Sequence, residues 1–467
     1  MKNDFMDSKV TTIISDSANL QISVSEWLET HRRNKGLKVE PILFSDCKQW
    51  EFLDGSLKHK TGRYFSIRGI RIESNVPYFN GWEQPVIHQP EVGILGFVIR
   101  QNKSGWDWLL QAKAEPGNVF IVQGAPTVQA TKSNYERVHQ GLPTPLIECF
   151  TRADHPGVTL LTNVEQSEQG DRFLNKYNRN CVALVSFDYP VPDNNLLKWF
   201  PANALRKVLL FDFTVNTDAR SVLFCSNWQF LADNGGEPFH RWVGKGGFGE
   251  KLLHSFQSQK NLLNTLDDCI EKLEDVRESI ILDRTIIPLS ELSEWKIGAG
   301  RIFRKDIDST FSIRVFDIHA SDREVSYWCQ PLLESSRTVN VVVICTSIAG
   351  ILHFFLRLLP EPGFKESVQL APSKIGSPFH LAADWVDDAL NDHRSVHRAH
   401  VLQSDEGGRF MNAVVNYEIV EVSPKWADYS TVNGIWLTLG QLKSLAGMKG
   451  QLTNETRCAL SLLLAWV

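Results

Sequence analysis

VNVVVICTSIAGILHFFLRLL, residues 339–359, is the stretch on which the fold turns. Its length is close to the roughly 20 apolar residues that carry a helix across a bilayer. Asn340, His353 and Arg357 stand within it, which sits poorly with hydrocarbon. The run lines up with GILGFVIRQNKSGWDWLLQAK, residues 93–113, where Gln-Asn-Lys-Ser-Gly separates two apolar runs as a hairpin turn does. A segment whose duplicate is a polar-tipped hairpin has no reason to cross lipid. The expectation is therefore a hairpin with its turn at Ala349-Gly350, and no membrane span.

The correspondence extends well beyond these runs. The same offset of 246 joins LLQAKAEPGN (109–118) to FLRLLPEPGF (355–364), Phe65 to Phe311, Trp82 to Trp328, Gln84-Pro85 to Gln330-Pro331 and Ala125-Pro126 to Ala371-Pro372. Further on the offset falls to 237, joining QSEQGDRFLN (166–175) to QSDEGGRFMN (403–412), Trp199 to Trp436 and Arg220 to Arg457. A duplicated unit accounts for this, and two copies are too few for a solenoid. The organisation expected is a first repeat with an N-terminal helix over residues 1–245, a linker helix over 246–284 and a second repeat over 285–467.

Within each repeat, YFSIRGIRIES and TFSIRVFDIHA change the phase of their apolar alternation midway, which predicts a bulged strand. The hairpin follows, and then a Pro-Gly turn. NNLLKWFPANALRKVLL from Asn194 and WLTLGQLKSLAG from Trp436 read as closing helices. Leu263, Leu266, Ile270 and Leu273 mark an amphipathic helix that packs the repeats together or forms a dimer seam. Strands followed by helices, repeated once, give an α+β class with a mixed sheet.

Composition narrows the function. Of 467 residues, 43% are hydrophobic and 22% charged, the balance of a soluble globular chain long enough for two domains. A net charge of -5 offers no general attraction to nucleic acid or anionic lipid. The eight cysteines have no CxxC spacing and read as reduced, mostly buried thiols. The acidic N-terminus MKNDFMDSKV does not resemble a secretory signal and points to the cytoplasm.

Common catalytic signatures are absent. GKGGFGEK from Gly244 lacks the Walker A spacing and its Ser or Thr, and reads as a linker. His393, His397 and His400 have helical spacing in a strongly polar run, which reads as an exposed helix, with a metal site as the alternative. There is no HExxH and no GxSxG.

The duplication itself is the better guide, because positions polar in one copy only are candidates for chemistry. His59 faces Lys305, Arg63 faces Ser309, Gln89 faces Ser335, Gln111 faces Arg357, Lys113 faces Leu359, Asn118 faces Phe364 and Gln129 faces Ile375. The reactive equipment concentrates in the first copy. Glu115 persists as Glu361, so it serves either to pin the Pro-Gly turn or to react.

The segments HKTGRYFSIRG, WEQPVIHQPEVGILGF, LLQAKAEPGN, APTVQATKSNY, SEQGDRFLNKYNRN and WLTLGQLK resemble, in order along most of the chain, the NDP-hexose 2,3-dehydratases of deoxysugar biosynthesis. The resemblance implies a duplicated Nudix-like fold, a homodimer, one active pocket and one remnant. The Nudix hydrolase box is absent, so metal-dependent pyrophosphate hydrolysis is not implied. The implied substrate is dTDP-4-keto-6-deoxyglucose, which would lose its C2 hydroxyl by proton transfer without a cofactor. The expected catalytic set is His59, Lys113, Glu115 and Tyr135. Arg63 is expected on the diphosphate and Trp82 stacked on thymine or sugar. Gln84, Gln89, Gln111, Asn118, Gln129, Thr131, Asn134 and Arg179 would complete the substrate contacts. A non-catalytic nucleotide-sugar binder and a Nudix-type pyrophosphatase are the rival readings.

Overall fold

The would-be membrane run is a hairpin. Its strands Val339–Ile348 and Ile351–Pro360 are joined by Ala349 and Gly350, both at positive φ (49° and 82°), the conformation a two-residue turn between twisted strands requires. The computed structural model describes residues 18–34, 36–136, 143–152, 154–259, 262–305, 311–320, 326–376, 384–429 and 433–467. Among these, no helix is long and apolar enough to cross a membrane.

Each half builds a seven-stranded mixed sheet around its hairpin. In the first the order is Val158–Ser167, Tyr177–Val185, Gly93–Asn102, Gly105–Ala114, Leu197–Pro201, with Val122–Ala125 and Val128–Ala130 added to the hairpin strands. The second repeats this with Val396–Ser404, Val414–Glu421, Val339–Ile348, Ile351–Pro360 and Gly434–Thr438, plus Val368–Ala371 and Lys374–Ile375. In both, the second and third strands run parallel. The whole is a mixed α/β molecule with four mixed sheets.

Several local expectations change. The strands Ser66–Ser74 and Phe311–Ala320 keep an unbroken register with their neighbours. Their apolar phase shift reflects burial on both faces, since Ile67, Ile70 and Ile72 are all fully buried. The bulges lie instead at Leu160/Thr162 and His397/Ala399, equivalent points of the two edge strands. The segment from Asn194 is a strand to Pro201 and only then a helix, Ala202–Val208, because proline's fixed φ suits a helix start. Likewise Gly434–Thr438 is a strand before helix Leu439–Ala446, whose start is closed by a Thr438–Gln441 capping box. His397 and His400 lie on the strand Val396–Ser404 and His393 in the turn before it, so they share no helical face. GKGGFGEK opens helix Gly247–Gln257, and its loop amides Gly244 N and Gly246 N both donate to the Glu250 carboxylate (2.8 Å each). Cys47 and Cys329 form a disulfide, while the other six cysteines are buried thiols. Cys329 N donates to Gln49 Oε1 and Trp50 Nε1 to Cys329 O, which seats the Cys47 segment on the strand Tyr327–Ser335.

The two halves exchange parts. Each half also has a six-stranded, smaller sheet; Leu37–Ile42, which precedes that of the first half (Trp50–Leu53, Ser56–His59, Ser66–Ser74, Glu83–His88 and Phe173–Leu174), pairs with Phe311–Ala320 of the second. Leu282–Ile287, which precedes the second, pairs with Ser66–Ser74 of the first. The Glu-Pro-Gly loops cross as well. Gly117 N donates to Gly407 O (2.8 Å) and Gly117 O accepts from Asn412 N (2.9 Å), while Gly363 N donates to Gly170 O (2.7 Å) and its O accepts from Asn175 N (2.8 Å). A Cβ on Gly117 would lie 1.5 Å from Phe410 O, and one on Gly363 1.7 Å from Phe173 O, so only glycine fits either crossing. One hydrophobic core runs through both halves. The amphipathic helix Leu266–Ser279 buries Cys269 and Leu273 in it and holds the second half through Lys272 to Gly434 O and Arg277 to Val368 O and Gly450 O.

Candidate active site

The hairpin strands of the first half pair from Val98/Leu109 to Asn102/Gly105 and then part, each taking a new neighbour. Thr127 stands in the fork: its hydroxyl accepts from Val98 N (2.9 Å) and donates to Leu109 O, replacing the lost ladder bond. Ser373 does the same in the second half, with Ile344 N and Phe355 O. This explains the paired Ala-Pro-Thr and Ala-Pro-Ser motifs, and the fork opens a space that side chains must fill.

In the first half they are polar. Gln129 donates to Glu115 Oε1 (3.0 Å), accepts from Asn216 Nδ2 (3.0 Å), and through its main-chain carbonyl accepts from Lys113 Nζ (3.2 Å). Asn118 Nδ2 donates to Glu115 Oε2 (3.3 Å). Asn216 caps helix Thr217–Cys225, which carries the buried Asp218. Glu168 accepts from Asn178 (2.6 Å) and from Asn454 of the second half (3.1 Å). Lys176 donates to Glu91 O (2.6 Å). The second half also supplies Glu406 and Arg409, the latter bonded to Gln89 Oε1 (3.1 Å).

Enclosure sets the charges. Burial, with Glu168, Glu406 and Glu115 nearby, drives the Asp218 carboxyl well above its ordinary range. Burial also raises Glu168, against the pull of Arg457, and lowers Lys176, against the pull of Glu168. It pushes Glu406 up to about 7, with Arg409 opposing. The site thus sets carboxyls raised by burial, Glu406 to about 7, beside amides and lysines, the equipment of acid–base chemistry.

The second fork holds a small cavity, about 60 Å³, lined by Val341, Ile375, Val415 and Tyr417 together with Asp171, Asp405 and Glu455. Acids persist there: burial pushes Asp405 up to about 7 and Glu455 up to about 8. Gln169 lines it too, but four polar positions of the first fork are apolar here. Leu359 replaces Lys113, Ile375 Gln129, Ala413 Lys176 and Val415 Asn178.

The structure thus brings Gln89, Lys113, Glu115, Asn118 and Gln129 to one fork. Gln111 lies two residues before Lys113 on the same strand. Thr131 and Tyr135 border the fork on the short helix Lys132–Tyr135, whose Ser133 N donates to Glu91 Oε2 (2.7 Å), and Gln89 donates to the other Glu91 oxygen. Burial raises the Tyr135 hydroxyl. Asn134 is exposed beside it. Arg179 alternates with Asn178 and Asn180 along its strand and binds Asn163 Oδ1 and Phe150 O. His59 lies in the smaller sheet, bonded to Thr61 and packed edge-on to Trp50 and Tyr64. Its strand register makes Arg304, not Lys305, its counterpart, while Ser309, set against the exposed Arg63, lies outside the described residues. Trp82 bonds Gln84, and Gln84 bonds Asp171 O (2.7 Å); Trp328, Gln330 and Gly408 O repeat the corner in the second half.

Glu168, Lys176, Asn178, Asp218, Glu406 and Arg409 were not among the residues expected. The 237 offset carries a signal for some, since Lys176 faces Ala413 and Asn178 faces Val415. Among the described residues no group of three or more His, Cys, Asp or Glu is placed to hold a metal ion.

The sequence profile of the NDP-hexose 2,3-dehydratase family matches residues 21–226 and 266–463. Three curated relatives are named dTDP-4-dehydro-6-deoxy-alpha-D-glucopyranose 2,3-dehydratase. The one from Saccharopolyspora spinosa is 32% identical over 90% of this chain and 86% of its own length. That from Amycolatopsis orientalis is 32% identical over 94% and 89%. That from Streptomyces violaceoruber is 31% identical over 96% and 97%.

Proposed function

The chain belongs to the NDP-hexose 2,3-dehydratase family, and from that premise we propose that it dehydrates dTDP-4-keto-6-deoxyglucose at C2 and C3 in deoxysugar biosynthesis. The C4 ketone acidifies the C3 hydrogen. Removal of that hydrogen and protonation of the C2 hydroxyl expel water and leave an enol, which tautomerises to the 3,4-diketo-2,6-dideoxy sugar. The change is loss of water, so it consumes no oxidant. A positioned acid and base supply about 10²–10⁴-fold each, and donors aimed at the enolate oxygen add roughly 10²–10³-fold.

The observation that carries this reading is the hydrogen-bonded network at the first fork, in which buried Glu115 and Asn118 meet half-buried Lys113 and Gln129, set against Leu359, Phe364 and Ile375 at the second. Lys113 and Glu115 are assigned to the reacting carbons, with Tyr135 at the rim and His59 completing the candidate set. Gln89, Gln111, Thr131, Asn134 and Arg179 are assigned to the substrate's hydroxyls and base, and Arg63 to the diphosphate, since a guanidinium fork matches phosphate oxygens. Trp82 and Gln84 recur in both halves with the same bonds, so their stacking and binding roles rest on family resemblance alone. A Nudix-like ancestry for each half is supported by the splayed mixed sheet and by that resemblance, which also underlies the proposed homodimer.

The test is to incubate the protein with dTDP-4-keto-6-deoxyglucose and follow the diketo sugar or its breakdown to maltol and free nucleotide. Release of a sugar phosphate dependent on added Mg²⁺ would favour the pyrophosphatase reading instead.

A further inference from the structure

We propose that Glu406, carried by the second half of the chain, is the acid that protonates the leaving C2 hydroxyl in the first-half site, facing Glu115 as the base. The proposal rests on the dehydratase reading above. Its first support is the way residues 403–412 are fixed. Glu406 O accepts from Arg409 N (3.0 Å) and Phe410 N (2.9 Å), and Glu406 N donates to Asp405 Oδ1 (3.0 Å). Arg409 lies over the Phe65 ring (4.2 Å) and bonds Gln89, so the loop is pinned to the first half between its two crossing bonds at Gly407 and Asn412.

The second support is a gap. A Cβ built on Gly408 would sit 3.6 Å from Glu406 Oε1 and 3.7 Å from Glu115 Oε1, with no other atom within 4 Å beyond its own chain neighbours. The two carboxyl oxygens therefore border one space and are separated by no more than the sum of those distances. That space stays open because residue 408 has no side chain; its counterpart in the other half is Asp171, which lines the second cavity. Glu406, Gly408 and Arg409 retain partial solvent access, as the walls of an internal space do. The third support is Asn118. Only 4% exposed, it spends its Nδ2 on Glu115 and Ile121 O and leaves its side-chain oxygen without a hydrogen-bond partner. That oxygen lies against Gly407, next to the gap at Gly408, as an acceptor whose hydrogen-bonding capacity is unspent.

The proton balance closes within the pair. Glu115 takes the C3 proton and the electron pair moves to O4. When that pair returns, the C2–O bond breaks and Glu406 protonates the departing oxygen, giving water and a C2=C3 enol. In tautomerisation, Glu115 returns its proton to C2 while Glu406 recovers one from O3. Both groups are then reset. Burial helps by keeping the Glu406 proton available near neutrality.

The experiment follows full-length protein with dTDP-4-keto-6-deoxyglucose in D₂O, reading water loss and C3 deuterium uptake separately. Glu406→Gln is expected to lose about 10²–10⁴-fold in water loss while C3 exchange continues. Glu115→Gln is expected to lose both, and Glu406→Asp to recover part of the elimination. The unfolding midpoint of each variant serves as the check on folding. Elimination by Glu406→Gln at the wild-type rate, or loss of its exchange together with elimination, would overturn the assignment. A wild-type protein that converts none of the sugar would overturn the dehydratase reading, and this assignment with it.

Discussion

Replacing Gly117 with alanine tests whether the crossed Glu-Pro-Gly loops hold the molecule together. The new Cβ would need to occupy a point 1.5 Å from Phe410 O, so one backbone or the other must move. The motion breaks two interlocking bonds, Gly117 N to Gly407 O (2.8 Å) and Asn412 N to Gly117 O (2.9 Å). Leaving buried backbone groups unpaired costs about 1–3 kcal/mol for each bond lost, hence about 2–6 kcal/mol in all. That is a large part of the roughly 5–15 kcal/mol by which proteins are stable. With a urea slope of about 3 kcal/mol/M, the midpoint should fall by about 0.7–2 M. Tryptophan fluorescence in a urea titration reads it directly. Gly408→Ala is the control, because its Cβ would make only ordinary contacts at 3.6 and 3.7 Å, and its midpoint should stay in place. If Gly117→Ala unfolds with the wild type, the crossing carries no stability and the reasoning fails.

Three further outcomes are expected. Lys113→Ala should reduce dehydration by about 10²–10⁴-fold, whereas Leu359→Ala at the equivalent position of the second half should leave the chemical step intact; equal losses in a single-turnover assay would contradict the placement of the site. Stability should fall as pH rises from about 6.5 to about 8.5, because the folded chain holds protons on Asp405 and Glu406 (about 7) and Glu455 (about 8) that the unfolded chain, with carboxyls near 4, has already released. Urea midpoints at the two pH values check the sign, and Glu455→Gln should flatten the fall. A chain cut after residue 245 should fail to fold alone, since Ser66–Ser74 loses its partner Leu282–Ile287 and Leu37–Ile42 loses Phe311–Ala320; a sharp, cooperative melt of that fragment would contradict the exchange.

The sequence by itself determined the duplication, the two hairpins and the one-sided polarity of Lys113, Asn118 and Gln129, because each is a property of local pattern or of comparison at a fixed offset. Its failures share a cause. Leu197–Pro201 reads as helix because a short apolar run has no period of its own until a sheet claims it. The phase shift in Ser66–Ser74 looks like a bulge until both faces of the strand are seen to be covered, with Ile67, Ile70 and Ile72 all fully buried. Cys47 and Cys329 are 282 residues apart, and no spacing rule joins them.

Tertiary structure alone decided how the repeats share their parts. An offset matches each residue to its twin but cannot say whether a strand pairs within its own half or with the other, since the local sequence is the same in either case. The exchange brings Glu406 to the first fork, although in sequence it is merely the twin of Gln169. Burial then sets what that carboxyl can do, because the proton it holds near neutrality depends on the water and charges around it, and those are fixed only once both halves have closed on each other.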